Sequence, residues 1–235
     1  MGGGVGVVNV FNSSDLHDIV EALATAMDAK NSFTSGHSER VANYSLLLAQ
    51  RLGLSASEQT RIHIGAHLHD IGKIGIPDAI LNKSGRLTDR EFSIIRQHPV
   101  LGENIVSKVK ILHSIAAIVR HHHERFDGNG YPDGISGYQI SLGARIVAVA
   151  DALDAMISAR PYRPALSFAD AIAEIRRCRG GQFDPDVVEA LLGLVDKRKI
   201  DANANKRQNR GMTDVDCSAV RRLSWRNRGD LCSAK

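Results

Sequence analysis

From about residue 14 to residue 195 the apolar positions recur every three or four residues, and no stretch alternates long enough to make a strand. Leu16, Val20, Leu23 and Met27 mark a first helix. His37, Val41, Tyr44, Leu48 and Leu52 share one face of a second, over about 36–52, which Gly53 closes. Ser55 and Glu58 form a capping box for a third helix reaching about Gly72, with Ile62, Ala66 and His69 on one stripe. Thr88 and Glu91 repeat that device for a fourth, which reaches His98 and must bend or end near Pro99, with short helical turns following to Val106. A helix over about 112–123 lines up Ile115, Val119 and His122. The stretch 127–137 then holds Gly128, Gly130, Pro132, Gly134 and Gly137, a density that forces turns. A helix over 142–158 carries Ala144, Val147, Asp151 and Ala155 in line. Ser167 opens another at 168–178, and Asp184 followed by Pro185 starts a last one to about Val195. The pattern predicts an all-α fold without internal repeats.

Polar side chains interrupt these apolar stripes. His37, His69, His122 and Asp151 fall on faces that should point into the core, where a polar group must find a partner. Any one histidine of this kind reads most simply as a satisfied core residue. Five histidines and two aspartates on several helices suggest more, because converging imidazoles and carboxylates are the usual ligands of Zn, Mn or Fe, and a shared carboxylate can bridge two ions. Two doublets, His69-Asp70 and His122-His123, sharpen the point. Neighbours on a helix point about 100° apart, so each doublet could straddle a pair of ions at a helix flank. Lys73 sits beside the first doublet, between Gly72 and Gly75.

Charge changes the picture at the C-terminal end only. Of 30 Lys and Arg and 26 Asp and Glu, 11 and 4 lie from Lys197 onward, so that stretch carries +7 and the residues before it −3. The basic pI of 9.1 therefore describes an appendage and gives no support to a nucleic-acid-binding body. The tail has sparse, aperiodic apolar residues and reads as disordered. Cys178, Cys217 and Cys232 have neither metal-type nor redox-type spacing and read as free thiols of a reducing, cytoplasmic setting. The N-terminal stretch lacks the charge and apolar run of a secretory signal, and no segment is apolar for the roughly 18 residues that a membrane span needs.

The segments "FTSGHSERV" (33–41), "LHDIGKIGIP" (68–77), "HPVLG" (98–102), "HHERFDGNGYP" (122–132), "ARIVAVADALDAM" (144–156) and "RPYR" (160–163) together resemble the HD-GYP family, a branch of the HD superfamily whose members are cyclic di-GMP phosphodiesterases. The resemblance covers about residues 14–195. It implies an HD-superfamily helical bundle with extra C-terminal helices over 14–196, between a lead-in of 1–13 and the tail of 197–235. It also implies two divalent metal ions, Fe or Mn ahead of Zn, Ni, Co or Mg. His37, His69, Asp70 and Asp151 would take the first, and His98, His122 and His123 the second, with Asp70 bridging. Some members bind a third ion through a Glu four residues before the first histidine. Phe33 stands there in this chain, so the resemblance is to the two-metal subgroup.

By the same resemblance Asp70 and Lys73 are the catalytic residues, and Lys73, Tyr131, Arg160 and Arg163 meet the substrate. The family often has Lys where Arg163 stands, a change that keeps charge but alters donor geometry. His121, His17, His63, His67 and His113 are assigned no ligand role. Asp154, one turn after Asp151, reads equally as a residue orienting a ligand histidine or as an exposed helix acid. The implied activity is hydrolysis of cyclic di-GMP to linear pGpG and on to GMP. Bound ions would supply it by lowering the pKa of water toward neutrality. The alternatives are hydrolysis of another nucleotide, such as cyclic GMP-AMP, and a non-catalytic module binding a GGDEF-domain diguanylate cyclase through the GYP loop. The amphipathic first helix could pack on the bundle or build a homodimer.

Overall fold

The computed structural model describes residues 13–30, 36–159 and 164–196. The expected lead-in, Phe33, the RPYR segment with Arg160 and Arg163, and the tail from Lys197 onward lie outside the described residues. Among the described residues ten α-helices follow in order: α1 Ser13–Lys30, α2 His37–Arg51, α3 Ala56–His67, α4 Asp78–Leu81, α5 Asp89–Ile95, α6 His98–Val106, α7 Ala116–His121, α8 Leu142–Ile157, α9 Phe168–Arg177 and α10 Pro185–Val195. Among the described residues there is no strand, only an isolated bridge between Arg179 and Phe183, and the all-α expectation holds.

The capping devices work as the sequence implies. Ser55 with Glu58 and Thr88 with Glu91 form complete capping boxes at α3 and α5. The side chains of Ser141, Ser167 and Asp184 accept backbone N–H groups at the starts of α8, α9 and α10.

Three expected helices differ. The third ends at His67 and gives way, after a turn, to a 3-10 turn Ile71–Gly75. The reason is close packing: a Cβ on Gly72 would lie 1.9 Å from the His98 carbonyl oxygen and 2.4 Å from the Gly102 nitrogen. The chain leaves its helix so that bare backbone can lie against α6. Pro99 starts a helix where it was expected to end one, since in the first turn its missing N–H costs nothing. The 112–123 segment begins as a 3-10 turn, Lys110–Ile115, and α7 proper stops at His121. The short α4 carries no periodic signal and was not anticipated.

Two apolar clusters hold the bundle. The larger joins α2, α3, α7, α8, α9 and α10 through residues such as Leu48, Ile62, Ile118, Ile146, Leu153, Ile175 and Leu191. The smaller joins α1, the Ile71–Gly75 turn, α6 and the segment before α7 through Val20, Leu68, Ile71, Val106, Leu112 and Val119. His69 and Asp70 are flanked by Leu68 and Ile71 of the small cluster, and Asp151 follows Ala150 of the large one, so the polar centre lies on the seam between them. Among the described residues no helix is long and apolar enough to cross a membrane. One expectation fails: Cys178, at the end of α9, is disulfide-bonded and so is not a free thiol.

Replacing Gly72 by Ala forces a methyl into the His98 carbonyl. The expected cost is about 1–3 kcal/mol of unfolding free energy, together with weaker metal retention because His69 and Asp70 are pushed from His98. Denaturant unfolding and metal analysis of the purified variant check both.

Candidate metal centre

Helix ends deliver most of the centre. His37 is the first residue of α2 and His98 the first of α6; His69-Asp70 and His122-His123 lie in the turns just past α3 and α7; Asp151 comes from within α8. The doublets were expected on helix flanks. Placing them in turns frees adjacent side chains from the helical 100° spacing and lets both converge. All seven expected ligands are brought together. One group of mutually close donor atoms comprises Asp70, His98, His122 and His123, and a second comprises His37, His69 and Asp70. Asp151 Oδ1 lies 3.3 Å from His37 Nε2.

Hydrogen bonds fix which ring nitrogen faces inward. His69 Nδ1 donates to Ala66 O at 2.7 Å, His98 Nδ1 to Ile95 O at 2.8 Å and His122 Nδ1 to Val119 O at 2.8 Å. A carbonyl only accepts, so each of these Nδ1 atoms carries the hydrogen and each Nε2 presents a lone pair to the centre. Each acceptor is three residues upstream, a carbonyl that the end of a helix leaves free. His37 Nδ1 donates instead to Asp154 Oδ2 at 2.8 Å.

His98 Nε2 and His122 Nε2 then stand 3.2 Å apart. Two lone pairs at that distance repel unless a cation lies by them. His69 Nε2 and Asp70 Oδ1 are buried and make no hydrogen bond, which is costly for groups that lack a cation to coordinate. The donor set therefore fits metal ions.

Asp70 divides the centre. Its Oδ2 is 3.4 Å from His69 Nε2 and 4.0 Å from His37 Nε2, while its Oδ1 is 3.3 Å from His98 Nε2 and 4.0 Å from His122 Nε2. Each oxygen faces one half of the imidazoles, the arrangement of a binuclear His/Asp cluster. Lys73 Nζ donates to Oδ2. Burial alone would raise the Asp70 carboxyl, but Lys73 and His69 outweigh it and hold it well below the carboxylate range.

The halves differ in electrostatics. Burial opposes charge on His37, yet hydrogen bonds to Asp151 and Asp154 prevail and raise it to about 9. His69 is raised too, against burial, by Asp70. Burial and then the neighbouring imidazoles push His122 well down and His123 to about 3. One half favours positive charge on His37 and His69, and the other keeps His122 and His123 neutral.

Asp154 is buried and orients His37, which decides between its two sequence readings. Arg40, which the sequence did not single out, holds Asp154 in place from Nε at 2.5 Å and Nη2 at 3.0 Å. Its spacing of three residues from His37 on α2 was the available signal.

The loop after α7 is tied down from several sides. The buried Glu124 accepts the backbone N–H of Asp133 at 2.6 Å and of Gly134 at 3.0 Å. Asp127 accepts from Asn129 N and Arg125, and Asp133 from Arg120 and His121. His121, which the sequence reading left without a ligand role, ties the loop through Asp133. A Cβ on Gly130 would lie 2.3 Å from Arg125 N, so the loop turns back on its own start. Tyr131 stacks on His123 with ring centroids 4.9 Å apart, and the Arg96 guanidinium lies 4.6 Å from the Tyr131 centroid. Arg96 was not anticipated. Burial, then Asp70 and Asp151, raise the Tyr131 phenol, so it remains a neutral O–H donor. Beside these groups a cleft of about 210 Å³ is lined by His122, His123, Asp151, Met156, Gln182 and Phe183, among others.

A family model described as "HD domain" matches residues 21–187. The chain belongs to the HD-domain family. This HD domain is 44% identical over 177 residues to a cyclic di-GMP phosphodiesterase response regulator, RpfG, of Xanthomonas campestris, covering 74% of the chain and 47% of that protein. It is 40% identical over 176 residues to the 3'3'-cGAMP-specific phosphodiesterase 3 of Vibrio cholerae, covering 75% of the chain and 38% of that protein. The chain thus spans less than half the length of these curated relatives. Its fold is like that of Bd1817, an HDG"Y"P protein from Bdellovibrio bacteriovorus, with a TM-score of 0.59 at 20% identity over 79% of this chain and 65% of that one.

Asp154→Asn keeps the shape of the residue but removes the charge that orients His37. Metal affinity of this HD domain should fall about 10- to 100-fold, measured by chelator competition, with the circular dichroism spectrum unchanged.

Proposed function

We propose that this HD domain is a metal-dependent phosphodiesterase hydrolysing cyclic di-GMP to linear pGpG and on to GMP. The observation that carries the reading is Asp70, whose two oxygens each face one half of a buried imidazole set while Lys73 holds the same carboxylate. His37, His69, Asp70 and Asp151 would hold one divalent ion, and Asp70, His98, His122 and His123 the other. Imidazole-rich, carboxylate-bridged donors suit Fe, Mn or Zn, and the HD-GYP resemblance favours Fe or Mn. Bound ions supply a water deprotonated near neutral pH and draw charge from phosphoryl oxygens.

The protein's own groups do the rest. Lys73, largely buried beside Asp70 with a fifth of its side chain exposed, can turn one of its three N–H donors toward a non-bridging phosphate oxygen and stabilise charge that grows during in-line displacement. Asp70 keeps the two ligand halves in register. Tyr131, neutral and stacked on His123, stands beside the centre and would offer its O–H to the dinucleotide. Arg160 and Arg163 are assigned to its phosphates and guanine. The exposed tip of the GYP loop is the surface assigned to a GGDEF-domain diguanylate cyclase, and the exposed Ile19 and Leu23 of α1 to a homodimer.

A second reading, cleavage of cyclic GMP-AMP, is favoured by the 40% identity to the V. cholerae enzyme named above. Both dinucleotides carry a guanine and the same pair of phosphodiesters. The test is anaerobic purification, Fe(II) or Mn(II) loading and parallel incubation with each dinucleotide. Cyclic di-GMP should be turned over faster, Asp70→Ala should abolish turnover, and Lys73→Ala should lower kcat about 100- to 1,000-fold while keeping its metal. A metal-loaded protein that leaves both dinucleotides intact would sink the reading.

A further inference from the structure

On the far side of α3 from the binuclear centre, three histidines without a ligand role in the sequence reading come together. His17 from α1 and His63 and His67 from α3 each offer a ring nitrogen, and the three atoms lie within 4.8 Å of one another. The rings of His17 and His63 stack with centroids 5.4 Å apart. His67 stands edge-on to both, at 5.6 Å and 4.7 Å.

His63 Nδ1 donates to Ala42 O at 3.2 Å, which leaves its Nε2 lone pair free as a ligand. His67 is 4% exposed, and its buried Nδ1 has no hydrogen-bond partner. A buried ring nitrogen without a partner, beside two further imidazoles, is a group in need of a ligand. His63 and His67 are four residues apart on one helix face, a spacing that lets two histidines grip one ion.

We infer that His17, His63 and His67 form a second metal site, taking a single divalent ion of the zinc class and joining α1 to α3. A donor set of three imidazoles suits Zn, Ni or Cu better than Mg or Ca, and the Glu21 carboxylate lies near enough to His63 to act on it. Tetrahedral bonds of about 2.0 Å place nitrogens about 3.3 Å apart, so modest rotation of the half-buried His17 and His63 rings closes the triangle. His67 precedes the His69-Asp70 doublet by two residues, so the ion would also brace the end of α3 from which that doublet hangs.

The inference is independent of the hydrolase reading, and its test separates the two. Protein stripped of metal is loaded with Zn(II), dialysed and counted by elemental analysis. Wild type should retain about three ions per chain, and His17→Ala and His63→Ala about two each, with a smaller Zn-dependent rise in Tm. Equal counts in wild type and both variants would overturn the inference. A readout without these substitutions guards against a loosened α3: carbethoxylation of histidines by diethyl pyrocarbonate, mapped by mass spectrometry. Zn(II) should slow the modification of His17 and His63 severalfold, and should do so equally in Asp70→Ala, where the binuclear centre is lost. Unchanged modification rates in both proteins would overturn it.

Discussion

Asp70 is held where a carboxylate alone would be very costly, desolvated among four imidazoles, and the rest of the centre is arranged around that cost. Lys73 and the imidazoles His69 and His98 keep it ionised, while its two oxygens look in opposite directions. A side chain in that position is stable only if positive charge sits on both sides. The fold places the residue beside two apolar clusters, where water screens it weakly, and surrounds it with imidazoles suited to holding a cation. Burial, usually a reason to exclude a carboxylate, here strengthens its attraction for any cation beside it.

The histidines are pre-aimed by a feature of helices themselves. The last carbonyls of a helix have no intrahelical donor, and His69, His98 and His122 each give Nδ1–H to a carbonyl three residues back. One hydrogen bond thereby satisfies the orphan carbonyl, selects the tautomer and directs Nε2 inward. His37 is aimed by side chains instead: its Nδ1–H goes to Asp154, which Arg40 holds. The same architecture explains why the doublets lie in turns, where neighbouring residues can point to one place.

Much of this was legible in the chain because polar residues at apolar periodic positions are conspicuous: His37, His69, His122 and Asp151 stood out for that reason, and the motif order supplied His98, His123 and Asp70. Capping boxes at Ser55 and Thr88 were likewise explicit. What escaped depended on contacts distant in sequence. The early end of α3 follows from Gly72 lying on the His98 carbonyl, and the split before α7 has no local signal that a periodic pattern reveals. Arg40 and Arg96 are ordinary helix-surface residues by composition, and only the positions of Asp154 and Tyr131 give them work. His17, His63 and His67 were set aside one at a time, and His17 is brought to the other two only by the docking of α1.

The wall of the cleft is built on a different principle from the centre. Between residues 124 and 137 the apolar side chains Phe126, Tyr131, Pro132 and Ile135 are only partly buried, and polar ties add to their hold on the shape: Glu124 on two backbone N–H groups, Asp127 on Arg125 and Asn129, and Asp133 on Arg120 and His121. Exposed ion pairs of this kind contribute little individually, whereas Glu124 is buried and satisfies two donors at once. The loop's geometry therefore depends most on Glu124, whose backbone directly follows the ligands His122 and His123. Tyr131 closes the circuit by stacking on His123. The His123 ring and the loop are one packed unit, so a change that tilts that ring must also move Tyr131.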